Sequence, residues 1–160
     1  MENFQLEYIK NNTSKILDEE YLKKKFTKFE LEELKEFETV YYIDDKMIES
    51  YTMKHDSRFN YSINDHILYR YKIESFLGKG AFGDVVKAHD FKNAEDVALK
   101  LVKNESRFHN ACKNEIKILK LLGNRSKYLV QFRKNFIFRG HNCLSFEILN
   151  INLYQYLKIR

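Results

Sequence analysis

A lysine stands inside the apolar run Val97-Ala98-Leu99-Lys100-Leu101-Val102. A run of this kind reads as a buried strand, and an ammonium group on such a strand is seldom found without a carboxylate partner. The fold must therefore carry an acidic side chain to Lys100. Glu115 is the candidate, 15 residues further on, within a segment from Asn110 to Leu122. Ala111, Ile116, Leu119 and Leu122 recur there at helical spacing, and Gly123 supplies the stop signal. Taken singly, Lys100 would also suit an edge strand and Glu115 a solvated helix face.

Upstream lies Gly78-Lys79-Gly80-Ala81-Phe82-Gly83. The glycine spacing by itself is a weak signal with three readings. In a dinucleotide-binding fold the glycines stand between a strand and a helix, with an acid about 20 residues on. Asp96 is near that spacing, but Asp84-Val85-Val86-Lys87-Ala88 reads as strand and Asp96 precedes its own strand. A hairpin turn without a ligand is the second reading. The third is a phosphate-cradling loop between two strands. Glycines lack Cβ, so backbone N–H groups can approach phosphate oxygens, and Phe82 at the tip can fold over to exclude water. The glycines, Lys100 and Glu115, in this order and each on a suitable element, favour the third reading.

The rest of the chain is organised around that unit. Tyr21, Leu22, Phe26, Phe29, Leu34 and Phe37 give a helical pattern between Asp18 and Phe37. Thr27 and Glu30 have capping-box spacing, which predicts a break into two helices. Residues 1–13 are polar and are expected to fray. Val40 to Ile43 reads as a short strand and residues 44–66 as a loop. From Ile67 the pattern predicts a strand, the glycine loop, Val85 to Ala88 as a second strand, a turn over Asp90 to Glu95 and the lysine strand. The helix follows, then strands over Tyr128 to Asn135 and Phe138 to Ile148 with a turn at Gly140, and a final helix from Leu153 to Ile159. The expected fold class is α+β, a five-stranded antiparallel sheet with one main helix and an N-terminal helical extension.

Composition narrows the classes further. Hydrophobic residues are 44% of the 160 and aromatic residues 15%, enough to build a core. The formal net charge of +5 comes from 28 basic residues interspersed with 23 acidic ones, so no nucleic-acid partner is expected. No 18-residue apolar run or secretory signal is visible, and no membrane partner is expected. Cys112 and Cys143 match no metal spacing and read as buried, reduced thiols, which suits an intracellular location, cytoplasmic or nuclear. The five histidines suggest no metal cluster.

The stretch from Asn64 to about Ile159 resembles the N-lobe of a eukaryotic protein kinase of the dual-specificity tyrosine-regulated (DYRK) family. The residues that carry the resemblance are Asp65-His66-Ile67-Leu68-Tyr69-Arg70-Tyr71, Leu77 to Ala88, Val97-Ala98-Leu99-Lys100, Asn104-Glu105-Ser106-Arg107-Phe108-His109, Glu115 to Leu119, and Phe146-Glu147-Ile148-Leu149-Asn150-Ile151-Asn152-Leu153-Tyr154. The resemblance implies an ATP site made by Leu77, Gly78, Lys79, Gly80, Ala81, Phe82, Gly83, Asp84, Val85, Ala98, Lys100, Glu115, Val130, Phe146, Glu147 and Leu149. In it Lys100 would reach the α- and β-phosphates, Phe146 would close the back of the adenine pocket, and Glu147 and Leu149 would offer backbone groups to the adenine edge.

The resemblance further implies residues 1–63 as an extension similar to the family's maturation helper, 64–72 as a lead-in like its DH-box, and 73–160 as lobe and hinge. The implied activity is transfer of the ATP γ-phosphoryl group to protein hydroxyls, with protein substrates as partners. No His-Arg-Asp or Asp-Phe-Gly motif occurs in the 160 residues; Asp90-Phe91-Lys92 matches the latter in two letters and falls in a turn. No catalytic residue is therefore expected within this stretch, and Mg²⁺ is expected only where those motifs are present. The rival expectation is a non-catalytic kinase-like lobe, truncated or regulatory.

Overall fold

Alternation of side chains gives the main sheet one fully buried apolar face and a second that is covered only in part. On the strand Glu95–Val102, Val97, Leu99 and Leu101 are fully buried on one side, while Ala98 and Lys100 point to the other. The computed structural model describes residues 6–123, 125–151 and 153–159. Residues 1–5 of the segment expected to fray, and Asn152 of the family-like stretch, lie outside them.

The chain runs β1 (Leu6–Lys10), β2 (Thr13–Leu17), α1 (Glu19–Lys25), α2 (Lys28–Leu34), β3 (Thr39–Val40), β4 (His66–Ile67), β5 (Tyr71–Lys79), β6 (Gly83–Asp90), β7 (Glu95–Val102), α3 (Ser106–Leu122), β8 (Phe132–Phe138), β9 (His141–Glu147) and α4 (Leu153–Lys158). The larger sheet has the order β4-β5-β6-β7-β9-β8, antiparallel throughout. The five expected strands are present, and β4 adds a two-residue sixth at the edge. It pairs His66 with Lys72 and Ile67 with Tyr71 after a tight turn closed by Arg70 N–H on the Ile67 carbonyl. Two residues are too few for any periodic signal.

Boundaries moved where local polarity masked them. Helix α3 starts at Ser106 rather than Asn110, because its first turn is polar on every side except Phe108. Its end is as expected, with the Gly123 N–H on the Leu119 carbonyl. Strand β8 begins at Phe132 rather than Tyr128, and the turn at Arg139-Gly140 separates two strands that the sequence pattern had partly merged. Of the strand expected over Val40–Ile43, only Thr39–Val40 pairs.

The extension is not purely helical. Residues 6–17 form a β-hairpin in place of a frayed end, turning on Asn11 and Asn12 at φ 51° and 61°. Asparagine tolerates that conformation, and two such residues match the strand twist of a tight hairpin. Strand β1 also pairs in parallel with β3, completing a small sheet of order β2-β1-β3. The break between α1 and α2 does carry the capping box. Thr27 N–H donates to Glu30 Oε2 at 2.8 Å, and Glu30 N–H donates to Thr27 Oγ1 at 3.3 Å.

One core joins the extension to the sheet: Leu6, Leu17, Leu22, Phe26, Leu34 and Val40 pack with Tyr69, Ile73, Val86, Val97, Leu99 and Leu101. On the opposite face Phe108 and Cys112 of α3 pack with Val102 and Leu144. Cys112 and Cys143 are buried free thiols. Among the described residues no helix is long and apolar enough to cross a membrane.

Two buried histidines link this packing to pH. His66 lies between the extension and the sheet, its ring 4.0 Å from that of Tyr69, and burial pushes its pKa well below the usual value, with Arg139 adding to the effect. His141 bonds the Val102 carbonyl through Nδ1 at 2.8 Å and Tyr51 Oη through Nε2 at 3.0 Å, and burial lowers its pKa as well. The unfolded chain therefore takes up these protons first, and stability present above about pH 6.5 falls as the pH drops below it. The expected loss between pH 6.5 and 5 is up to about 1.4 kcal/mol per pH unit for each ring. Urea midpoints measured from pH 7.5 to 5 check this; a flat series would show that both rings protonate without cost. Asp44, whose carboxyl is pushed up by burial, acts in the opposite sense and confines the test to this window.

Candidate nucleotide site

The face of the sheet opposite the extension carries a cleft of about 620 Å³ beside α3. Ala98 and Lys100 reach it because they alternate with the buried Val97, Leu99 and Leu101. Register puts Val85 beside Lys100 and Phe146 beside Ala98, so three strands contribute side chains to one wall. Leu77, Val130 and Leu149 complete an apolar slot. At its charged end, Lys100 Nζ donates to both carboxylate oxygens of Glu115, at 2.7 Å each. The pair is partly shielded, with side-chain exposures of 22% and 36%.

Nine of the sixteen residues expected to bind the nucleotide line this cleft: Leu77, Val85, Ala98, Lys100, Glu115, Val130, Phe146, Glu147 and Leu149. Three others that sequence reasoning did not name are Leu119, Asn150 and Ile151. Leu119 was within reach, since it stands one turn beyond Glu115 on the same helix face. Asn150 and Ile151 follow the last strand and carry no periodic signal. The Glu147 side chain turns back, accepting from the Gln131 N–H at 2.8 Å, while the Glu147 N–H donates to the Gln131 carbonyl at 2.9 Å.

The loop itself, Gly78 to Asp84, does not line the cleft. Phe82 folds toward α3, its ring edge-on to Phe108 at 5.5 Å and 5.6 Å from Lys100 Nζ. A Cβ on Gly78 would meet nothing within 4 Å, and on Gly80 only the Gly83 carbonyl at 3.8 Å. Gly83 differs: its Cβ would lie 2.0 Å from the Leu101 carbonyl oxygen. Asp84 points away from the cleft and is buried against Arg58, with Arg58 Nη1 at 2.6 Å from Asp84 Oδ1. Arg58 lies in the loop before β4, and nothing in the sequence pattern marks it.

Other groups resolve as structural. Asp90 accepts from Arg70 Nε at 2.7 Å and Nη2 at 2.5 Å, so Asp90-Phe91-Lys92 is a braced turn between β6 and β7. His109 bridges Asn104 and Asn142 at 2.8 and 2.9 Å. The Cys112 thiol, one turn before Glu115, is pushed up by burial and by the Glu115 charge, which keeps it protonated. The folded chain does bring one histidine to two carboxylates, at Glu74, His89 and Asp96, a grouping not foreseen from sequence. The Lys87 ammonium already lies between those carboxylates, at 2.9 and 2.8 Å.

An antiparallel sheet with one packed helix, a glycine loop joining its first long strands and a strand lysine paired to a helix glutamate define a class, the N-lobe of a protein kinase. Comparison with known proteins agrees. The family described as "Protein kinase domain" matches residues 71–160. The chain is 45% identical over 100 residues to dual specificity tyrosine-phosphorylation-regulated kinase 4 of Homo sapiens, covering 60% of this chain and 19% of that protein. It is 45% identical over 100 residues to dual specificity tyrosine-phosphorylation-regulated kinase mbk-2 of Caenorhabditis elegans, covering 60% and 12%. It is 39% identical over 107 residues to dual specificity tyrosine-phosphorylation-regulated kinase 3 of Mus musculus, covering 64% and 18%.

The chain belongs to the protein kinase family, in its dual-specificity tyrosine-regulated branch. Its matched part spans less than a fifth of the length of these three relatives.

Proposed function

We propose that this chain is the ATP-binding lobe of a dual-specificity protein kinase that transfers the γ-phosphoryl group of ATP to serine, threonine and its own tyrosine hydroxyls. The observation that carries the reading is the Lys100–Glu115 pair at the charged end of an apolar cleft. Leu77, Val85, Ala98, Val130 and Phe146 would sandwich the flat adenine, and backbone groups of Glu147 and Leu149 would bond its edge. Lys100, held in one rotamer by Glu115, would neutralise the α- and β-phosphates. The open space over Gly78 and Gly80 leaves room for phosphate oxygens to approach the loop. We further propose the division into an extension over 1–63, a lead-in over 64–72 and the lobe over 73–160.

Mg²⁺ does not fit the donors in this stretch. Of the two carboxylates lining the cleft, Glu115 is taken by Lys100 and Glu147 by Gln131 N–H. With no residue here to position a substrate hydroxyl, the purified 160-residue chain is expected to bind ATP and to release no ADP in a coupled assay.

Calorimetric titration of the chain with ATP and adenosine tests the site. Lys100→Ala is expected to weaken ATP about 10- to 100-fold, the worth of hydrogen bonds between charged groups, with adenosine unchanged. Equal ATP affinity in the variant, or no ATP binding by either form, would overturn the reading. Phosphoryl transfer to a protein substrate by the 160-residue chain would overturn the second expectation alone.

A further inference from the structure

Arg58 is 6% exposed and spends its whole guanidinium on the phosphate loop and its own segment. Nη1 donates to Asp84 Oδ1 at 2.6 Å, Nη2 to the Gly80 carbonyl at 2.9 Å and Nε to Asp56 Oδ2 at 2.6 Å. Tyr61 Oη adds a longer bond to Asp84 Oδ2 at 3.4 Å. The segment that carries Arg58 is itself pinned, with the Asn104 N–H on the Ser57 carbonyl at 2.9 Å. Both partners on the loop are therefore held by one side chain from outside the lobe's sheet.

The direction of that hold matters. Val85 lines the cleft, so its neighbour Asp84 points to the opposite face, and Arg58 lies there with it. In a trans peptide the C=O and the next N–H point in opposite directions, and the described chain has no cis peptide bond. With the Gly80 carbonyl drawn outward to Arg58, the N–H of Ala81 is turned to the cleft side. The N–H of Gly80 is already used on the Gly83 carbonyl at 2.9 Å. Among the described residues no protein acceptor takes the N–H of Ala81.

We infer that Arg58 is a positioning residue for the phosphate loop, which by holding the Gly80 carbonyl presets the Ala81 N–H as a donor to a nucleotide phosphate. The inference rests on the ATP-binding reading above. Arg58 acts through backbone orientation and not as a counter-charge, since the Asp56 and Asp84 carboxylates more than balance its charge and it sits on the face away from the cleft. A residue preceding the sheet thus prepares the loop for the triphosphate and leaves the adenine slot untouched.

The test compares ATP with adenosine on the full chain by calorimetry, with the Ala81 amide followed by NMR. Arg58→Gln combined with Asp84→Asn removes the charges together, so no buried carboxylate is left unpaired. Arg58→Lys keeps the charge but loses the fork that serves Asp84 and Gly80 at once, and it carries the comparison if the double variant does not fold. Both variants are expected to bind ATP about tenfold more weakly, with adenosine within about twofold, and to lose most of the ATP-induced Ala81 amide shift. Wild-type ATP binding with an unchanged ATP-to-adenosine ratio in the variants would overturn the inference alone. Equal losses of both ligands would overturn it too, by reducing Arg58 to a folding residue. A wild-type chain that binds no ATP would overturn the reading beneath it and the inference with it.

Discussion

Replacing Gly83 with alanine is expected to cost about 4 kcal/mol or more, a large share of the total stability of a domain, while the same change at Gly78 leaves the fold intact. At Gly83 the added Cβ would stand 2.0 Å from the carbonyl oxygen and 2.9 Å from the carbonyl carbon of Leu101. Both are backbone atoms of β7, which is fixed by Val97, Leu99 and Leu101 in the core, so neither can yield as a flexible side chain would. The φ of 156° adds a conformation that side-chain-bearing residues rarely adopt.

Gly78 meets nothing within 4 Å, and alanine there should be neutral or stabilise by up to about 1 kcal/mol through the unfolded chain. Its effect should appear in ATP binding instead, where the new methyl group occupies the open side of the loop. Chemical denaturation of both variants, with ATP titration of Gly78→Ala, separates the two roles. Wild-type stability for Gly83→Ala would mean that β6 and β7 are further apart than described. Unaltered ATP affinity for Gly78→Ala would mean that the phosphates lie elsewhere.

The second large effect concerns the join between extension and sheet. Glu33, on α2, accepts from Arg139 Nε at 2.8 Å and Nη2 at 2.9 Å, and from the Tyr69 hydroxyl at 2.9 Å. The Arg139 side chain is 8% exposed and that of Glu33 16%. Glu33→Ala would strand the guanidinium among the rings of Phe29, Tyr51 and Phe138. The expected cost is about 3–5 kcal/mol, as for other buried pairs broken from one side. Glu33→Leu combined with Arg139→Met should recover much of that loss, because no unpaired charge remains. Urea unfolding of the single and double variants gives the coupling directly. A loss under about 1 kcal/mol for Glu33→Ala would place the pair with ordinary surface bridges.

The parts of the site that could be read in advance are those whose signal lies within one element. Lys100 in an apolar strand demands a carboxylate and Glu115 lies on the helix that follows, while Val85, Ala98 and Phe146, expected from the family resemblance, fall on the cleft side through strand register. The capping box at Thr27 and Glu30 and the Gly123 stop are equally local. Asn11-Asn12 was legible as well, since paired asparagines favour a tight hairpin, but the polar residues around it read as a frayed end.

What the sequence determined by itself was the order of elements from the two extension helices onward, apart from the short β4, with the lysine and glutamate partners and the family to which they belong, because each depends on spacing along a few turns or strands. Tertiary structure alone decided which face of each strand meets the extension, that Gly83 is required by β7 whereas Gly78 is left open, and that Asp84 turns from the cleft to Arg58. It also brought Glu33 to Arg139 across 106 residues. Contacts of that kind arise when closing the chain places a buried charge where only one partner is in reach, and no local pattern records which partner that will be.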